Sequence, residues 1–501
     1  MKSLDSSRAH DEYSEIPSFQ SLPTATTLAH SSAKERQCFE WFRYRAAVKL
    51  PGLSMCAFWE TIIFQVSLSE LSVLHAVLSL SSLHEHGVRQ EESYKAEMIP
   101  AAEDPFVLQQ YCRAISCLRP RQAESEAFVQ IMLITCVMFI YFDLLYGRFV
   151  TAQMHLKSGL SMLFESHKKF NAKDTARNTI DDEVIIALTR LQFQIELFNQ
   201  THKHRLACWQ HPKEVRTPSS FHNVTQASRS LQEVLQEVLL LRQLSFNHSQ
   251  ACNREYEVHG DLVARQKHVK AVLARWLEVH QASETIVSTN RDTTFGYLLL
   301  LAYHTMAAIM LGTCLSPNDE SVFDEYNDQF MIMLRQLINM WYIRGSLDPL
   351  LRRPSPPICM ARSGIDPGWI PLLYFMALKC RVHRIRLHAI KFLEISSHRE
   401  GFWDGKICLV VAHKVMQLEE QDHSKHGDVN DHFSLLDHPR PADLAKPTVP
   451  PSQRLSEIKV ELPDELYGDL GLSYERCRRC KDYGAQSQRE HLLLPSLPAG
   501  I

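Results

Sequence analysis

The sequence predicts an all-α protein, a multi-helix regulatory domain built from packed αα-hairpins. Apolar residues recur at the three- and four-residue spacing of helix faces along most of the 501 residues, whereas the alternation typical of strands is rare. Glycine is sparse, with 17 residues, and 45% of the chain is hydrophobic. A chain of this length and composition is large enough to bury a sizeable core.

The first strong helix signals lie between Ser67 and Pro120. Ser67 and Glu70 have capping-box spacing before ELSVLHAVLSLSSLHEHG, which predicts that a helix begins there. The apolar face of that helix is formed by Leu71, Leu74, Leu78 and Leu83. Asp104 and Pro105 then supply a cap and a first-turn proline for the next helix, which ends before Pro120.

The stretch CVMFIYFDLLYGRFVTAQMHLKSGL predicts an αα-hairpin that turns at Gly147. Ala152 and Gly159 in its second helix are small enough to let another helix approach closely. Asp143 lies near the C-terminus of the first helix, where a carboxylate opposes the helix dipole. We therefore expect Asp143 to have a hydrogen-bond or ion-pair partner, with Arg148 as the nearest candidate, and a structural role rather than a catalytic one.

The domain organisation follows from where the helical periodicity stops. Residues 1–34 are rich in Ser, Thr and Pro and are predicted to be disordered, and residues 35–420 form the helical domain. Residues 421–454 contain five prolines and predict a linker, residues 455–484 a short closing segment that starts with a strand, and residues 485–501 a flexible tail. Further helices are predicted at 181–199, 224–243, 266–280, 297–312, 324–341, 370–395 and 405–420.

Two apolar runs raise the question of a membrane span. The uncharged run at 127–142 is shorter than the roughly 20 residues that a bilayer requires. The run at 295–315 is long enough, but it contains His304 and Thr305 and lacks flanking clusters of Lys or Arg. We therefore predict that both runs are buried helices, that 297–311 is a central helix, and that the protein does not enter a membrane.

The charge balance and the cysteines exclude several classes of protein. The 54 basic and 57 acidic residues give a net charge of −3, which leaves no overall positive field for nucleic acid or anionic lipid. The 13 cysteines are scattered from Cys38 to Cys480, which predicts reduced thiols in the cytosol or nucleus. The N-terminal residues lack the apolar core of a signal peptide.

Enzyme motifs do not emerge from the sequence. Magnesium-dependent chemistry on helices needs ligands spaced along one face. The DDE at 181–183 has no acidic residue one turn later, and NDESVFDE at 318–325 lacks the four-residue spacing that would align its Asn, Ser and Glu. The sequence contains no Gly-rich phosphate loop, GxSxG elbow or HExxH pair. We therefore predict that the protein is not an enzyme, and we assign no catalytic, cofactor-binding, metal-binding or nucleic-acid-binding residue.

The isolated histidines and basic residues are interpreted as ordinary structural or solvated side chains rather than as metal or phosphate ligands. The HEH at 84–86 places its two histidines on different helix faces. The linker histidines are interpreted as solvated side chains; they are His423, His426 and His432. In RVHRIRLHAIK, Arg384 and His388 are expected on a solvated helix face rather than at a phosphate, with Ile385, Leu387 and Ile390 on the core side.

Three stretches resemble the regulatory region of fungal binuclear zinc-cluster transcription factors. They are FWETIIFQVSLSELSVLHAVLSLSSLHEHG, LITCVMFIYFDLLYGRFVTAQMHLKSGLSML and GIDPGWIPLLYFMALKCRVHRIRLHAIKFLEISSHREGFWDGKICLVVAHKVMQLEE. The third is the most specific, because the order of its short motifs does not follow from generic helix composition. Those motifs are Ile370-Pro371-Leu372, Cys380-Arg381, Ala389-Ile390, Arg399-Glu400-Gly401, Trp403-Asp404 and Leu418-Glu419-Glu420.

The resemblance implies a nuclear regulator of transcription, which in many members of the family controls a metabolic or secondary-metabolite gene cluster. In that family an N-terminal domain reads DNA through six cysteine thiolates around two zinc ions. These 501 residues contain no six-cysteine cluster, and the CxxC at Cys477 and Cys480 is interpreted as two reduced thiols. We therefore expect that this chain does not bind DNA specifically by itself.

Two explanations for the missing cluster stay open at this point. Either an exon that encodes the DNA-binding domain lies upstream of Met1, or the chain regulates through protein partners, which would be co-regulators or a DNA-binding transcription factor. Self-association as a homodimer and binding of a small-molecule effector are compatible with both. The rival hypotheses are a helical scaffold without a nuclear role and, least favoured, an all-α enzyme.

Overall fold

The computed structural model describes residues 31–52, 57–93, 104–118, 125–170, 179–199, 216–251, 260–287, 291–345, 358–420, 432–440, 449–463, 468–480 and 484–494. Most of these residues are helical, which confirms the predicted all-α class. The first helices along the chain are α1 (Ala33–Trp41), α2 (Ala47–Lys49), α3 (Ile63–Ser69), α4 (Leu71–Ser93), α5 (Pro105–Leu118), α6 (Glu126–Tyr146), α7 (Phe149–Phe170) and α8 (Thr179–Asn199).

The remaining helices follow in the same order. They are α9 (Val224–Ala251), α10 (Gly260–Val287), α11 (Arg291–Thr313), α12 (Asn327–Gly345), α13 (Ile370–Lys379), α14 (His383–Glu394) and α15 (Gly405–Glu420). Two π-helical turns, Phe42–Ala46 and Phe58–Ile62, precede α2 and α3, and a 3-10 helix, Glu320–Tyr326, precedes α12.

A capping box does occur, but at α1 rather than where the sequence predicted it. The hydroxyl of Ser32 accepts a hydrogen bond from the Glu35 amide, and the Glu35 carboxylate accepts one from the Ser32 amide. The box predicted at Ser67 and Glu70 is wrong. Ser67 lies inside α3 and donates to the carbonyl of Phe64, while Glu70 is the extended residue between α3 and α4. A serine already inside a helix has no free amides next to it to cap.

The second predicted cap and most of the α4 face are confirmed. Asp104 accepts a hydrogen bond from the amide of Phe106 at 2.9 Å, at the start of α5. Three of the four leucines assigned to the apolar face of α4 are buried; they are Leu74, Leu78 and Leu83. Leu71 is 46% exposed, because it is the first residue of the helix.

α6 and α7 form the predicted αα-hairpin, and the turn lies at Gly147. This glycine has φ of 95°, in the left-handed region that glycine tolerates, and its amide donates to the carbonyl of Asp143 at 2.8 Å. A Cβ at Gly159 would lie 3.1 Å from the Sγ atom of Cys136, so the small residue allows the close approach of α7 to α6. Ala152 is fully buried on the same helix.

α11 is the central helix, as predicted for 297–311. It packs against α9, α10, α12 and α13. Glu126–Tyr146 and Thr294–Thr313 are long and apolar enough to cross a membrane by length and composition, but 72% and 67% of the most apolar window of each is buried inside the protein. Both helices therefore pack as core helices of the described domain.

The described strands belong to two small antiparallel sheets. They are β1 (Arg399–Glu400), β2 (Trp403–Asp404), β3 (Leu455–Glu461), β4 (Leu470–Cys480) and β5 (Gly484–Leu494). β3, the strand predicted after the linker, pairs with β4, and β4 pairs with β5. The predicted flexible tail at 485–501 differs from the structure, which has a strand through Leu494. The QSQREHLLL sequence lacks strand alternation, and its pairing with β4 supplies the order that the local pattern does not.

Candidate functional site

The charged motif residues of 370–420 lie inside the protein. The carboxylate of Glu419 on α15 lies 3.1 Å from Nη2 of Arg381 and 2.7 Å from Nη2 of Arg386, and all three side chains are fully buried. The amide of Leu455, the first residue of β3, donates to the same carboxylate at 2.7 Å. Burial alone raises the pKa of Glu419, but the two guanidiniums hold this pKa below its ordinary value. The carboxylate therefore stays ionised in the core.

A second buried carboxylate, Glu320, continues this Glu419 network. It lies 2.6 Å from Nζ of Lys379 and 3.0 Å from Nη1 of Arg381. Burial raises the pKa of Glu320, but Lys379 and Arg381 outweigh this effect and bring the pKa to about 2. Arg454, next to β3, lies 2.7 Å from Asp324. The network therefore joins the segment before α12, the helices α13 to α15 and the C-terminal sheet.

The REG motif at 399–401 also has a structural role. Glu400 accepts hydrogen bonds from the amide of Ile370, the first residue of α13, and from the preceding amides of Gly368 and Trp369, and so caps that helix. Arg399 pairs with Asp404 at 2.8 Å and donates to the carbonyl of Leu145 at 2.7 Å, which links the α6–α7 turn to this region. Gly401 has φ of 63° and turns the chain between β1 and β2.

Asp143 has a partner, as predicted. Its fully buried carboxylate lies 3.6 Å from Nε2 of His155 on α7, and the same nitrogen lies 3.3 Å from the hydroxyl of Tyr111 on α5. The guanidinium of Arg148, the candidate suggested by the sequence, lies 4.3 Å from the ring centroid of Tyr146. Burial lowers the pKa of His155 and raises the pKa of Tyr111. Both shifts favour the neutral form of the side chain, so the two residues are not arranged as an acid–base pair. The cluster ties the hairpin to α5.

A small cavity of about 20 Å³, partly open to solvent, lies beside the second π-helical turn. Its apolar wall includes Trp59 and Tyr141, whose stacked rings have centroids 5.2 Å apart. Arg190 and Asp366 supply charged groups at the lining, and Nε of Arg190 donates to the Gln232 side chain at 2.8 Å. Its volume has room for about one water molecule and is far below that of typical ligand sites.

The basic face of α14 is covered by residues 432–440, which are part of the predicted linker. The ring of Phe433 lies 3.2 Å from Cζ of Arg384 and 3.9 Å from Nζ of Lys391. His388 is fully buried, and its Nε2 lies 2.9 Å from the carbonyl of Leu435. The prediction of a solvated face at Arg384 and His388 is therefore wrong, because an aromatic residue distant in sequence packs between the cations.

The other candidates from the sequence do not converge on one site. Nδ1 of His84 accepts a hydrogen bond from the Trp41 indole at 3.1 Å, whereas Nδ1 of His86 lies 3.4 Å from Asp104. Among the residues that the structure describes, no group of three or more His, Cys, Asp or Glu side chains is placed to bind a metal ion. Several candidate side chains lie outside the described part, namely those of Asp181, His423, His426, Cys477 and Cys480.

Three buried histidines predict that stability depends on pH. Burial lowers the pKa of His84, His280 and His388 to about 4, whereas the unfolded chain titrates near the ordinary value of 6.5. The stability they contribute is therefore complete above pH 6.5 and is lost as the pH falls towards 4. From pH 7.5 to 5.5 we expect each to lower the free energy of unfolding by about 1.3 kcal/mol, or about 4 kcal/mol together.

Urea titrations at both pH values measure this loss. A His388→Phe variant should show a pH dependence smaller by about one third, because the new ring can stack on Phe392 without taking up a proton. His413→Gln, at a side chain that is 52% exposed, is the control and should leave the dependence unchanged. Equal stability at the two pH values would contradict the prediction.

Comparison with known protein families gives a match over more than half of the chain. The family model described as the fungal specific transcription factor domain matches residues 50–338. Comparisons with curated proteins and with solved structures found no match. The motifs at 370–420 lie outside the matched range but pack against it, since Arg399 donates a hydrogen bond to the carbonyl of Leu145 and Gln194 accepts one from the amide of Phe402.

Proposed function

The chain belongs to the family of fungal-specific transcription factor domains, and on this premise we propose that it is a nuclear transcription regulator of the zinc-cluster type. The match over residues 50–338 carries the proposal. The chemistry of the described core agrees with a regulator rather than an enzyme. The buried charged groups of the third resembling stretch pair with one another or cap backbone amides. They are held in place as structural groups, and we propose no catalytic role for them.

In this proposal the helical domain acts through protein contacts. The partner is a co-regulator, a transcription factor that carries the DNA-reading module, or a second copy of the chain. The genes that it controls belong to a metabolic or secondary-metabolite cluster.

A reporter assay tests the regulatory role. The 501-residue chain is fused to an unrelated DNA-binding domain, and reporter transcription is compared with that of the DNA-binding domain alone. We expect a several-fold change in either direction and nuclear fluorescence of a tagged chain. A fusion that carries Glu419→Ala, which should destabilise the domain, is the matched control. An unchanged reporter together with a cytosolic chain would favour the scaffold without a nuclear role.

The purified chain should bind DNA only weakly and without sequence preference. Its net charge of −3 supplies no field for phosphate contacts, and its 501 residues contain no zinc-cysteine reader. Anisotropy titrations at physiological salt should give dissociation constants on the order of 10⁻⁴–10⁻⁶ M, lost as salt is raised. Nanomolar, sequence-dependent binding with stoichiometric zinc would contradict this expectation.

A further inference from the structure

α1, the following π-helical turn and α2 form one continuous helical segment, called the N-terminal helix. Its outer face presents an exposed patch that is both apolar and cationic. Tyr44 and Val48, one helical turn apart, are 66% and 60% exposed. Arg43, Arg45 and Lys49 are exposed around them, and Cζ of Arg43 lies 5.4 Å from the ring centroid of Tyr44. These five residues are called the N-terminal patch. Adjacent exposed apolar side chains with cations beside them form a candidate contact surface.

The patch is held on a rigid support. Phe42 and Ala46 on the opposite side of the same helix are fully buried, so the outward direction of Tyr44 and Val48 is fixed. Trp41 is half-buried at the edge of the patch. Its ring centroid lies 6.0 Å from Cζ of Arg45 and 5.5 Å from Cζ of Arg89 on α4. A partner for this surface needs carboxylates for the cations and apolar side chains for Tyr44 and Val48.

The sequence offers such a partner within the same chain. The segment DEYSEIPSFQ at 11–20 combines three carboxylates with apolar side chains, namely Asp11, Glu12 and Glu15 with Tyr13, Ile16 and Phe19. We propose that this segment docks on the N-terminal patch, with its carboxylates against the three cations and its apolar side chains over Tyr44 and Val48.

The length of the connection suits an intramolecular contact. At about 1.5 Å per residue, Tyr44 lies about 18 Å along the helix from Ser32. Residues 21–30 connect the segment to the helix, and ten residues reach at most about 33 Å, which covers this distance. A tether long enough to reach gives an effective concentration on the order of millimolar. Glu40, exposed one turn before Tyr44, makes the face a poorer match for a phosphate backbone.

Photo-crosslinking in the full chain tests the proposal. Benzoylphenylalanine replaces Phe19, and the adducts are mapped by mass spectrometry. We expect the main adduct between position 19 and residues 41–49, at a yield independent of protein concentration. Arg43→Glu with Arg45→Glu should lower the docked-to-undocked ratio roughly tenfold. Asp11→Lys with Glu12→Lys and Glu15→Lys should restore much of that loss in the double variant.

Matched controls separate docking from folding. Arg335→Glu reverses an exposed arginine on α12, outside the patch, and should leave the adduct yield unchanged. Arg43→Glu with Arg45→Glu, and Arg335→Glu, should keep the circular-dichroism spectrum of the parent chain, because these three side chains are exposed. Adducts spread over the surface, a yield that rises with concentration, or insensitivity to Arg43→Glu with Arg45→Glu would overturn the proposal. So would patch-dependent binding of duplex DNA without the Phe19 adduct.

Discussion

Replacing Glu419 with alanine is expected to lower the free energy of unfolding by about 3–5 kcal/mol. The substitution leaves the guanidiniums of Arg381 and Arg386 fully buried without their shared carboxylate. It also removes the acceptor for the amide of Leu455, so the start of β3 loses its tie to α15. Because a folded domain is stable by only about 5–15 kcal/mol, this loss is a large share of the total.

Urea unfolding followed by circular dichroism measures this loss. Glu394→Ala is the matched control, since Glu394 is 49% exposed and lies 3.6 Å from His413, and it should cost about 1 kcal/mol or less. Glu419→Gln retains an acceptor for Leu455 without the charge, so its difference from Glu419→Ala separates the lost hydrogen bond from the lost ion pairs. A Glu419→Ala variant as stable as the Glu394→Ala variant would refute the role assigned to the network.

Replacing Gly401 with alanine is expected to cost about 3 kcal/mol or more. The φ of 63° is strained for any residue with a Cβ. The new Cβ would also lie 2.6 Å from the carbonyl oxygen of Ile365 and closer still to Oε1 of Gln194. Gln194 bridges the two segments, since it donates to Ile365 at 2.9 Å and accepts from the Phe402 amide at 3.1 Å. Relief of the clash therefore breaks buried hydrogen bonds.

The melting temperature of the purified variant measures the cost. Gly260→Ala is the control, because a Cβ at this first residue of α10 would meet nothing within 4 Å. That variant should be unchanged or slightly more stable, since alanine is the better helix former. If Gly401→Ala has the same melting temperature as Gly260→Ala, the turn between β1 and β2 is not constrained as described.

The positions of several helices could be predicted because their signals are local. Gly147 ends α6, because a helix end of this kind needs a residue with φ above zero. The apolar periodicity on either side of Gly147 identifies the two helices of the hairpin. The central place of α11 follows likewise from its own sequence, because a helix that is apolar on every side has to be covered on every side. The helix start predicted at Ser67 failed because the capping-box pattern is also compatible with the interior of a helix.

The roles of the charged motif residues could not be predicted in this way. The sequence shows that Arg381, Glu400 and Glu419 are present, but their partners are set by packing: Arg399 binds a carbonyl 254 residues away, and Glu419 binds an amide 36 residues away. The same holds for Asp143, whose neighbouring His155 is on the next helix rather than in the turn.

The sequence by itself determined that this protein is all-α, where its main hairpin turns, which helix is central, and which family it resembles. All of these depend on periodicity and on residues within a few turns of one another. Only the tertiary structure decided that the motif residues are buried ion pairs and caps, that residues 432–440 cover α14, and that residues 484–494 form a strand. Whether a polar side chain is solvated, paired or capping depends on the backbone and charges that the fold brings beside it, and a single sequence does not encode these locally.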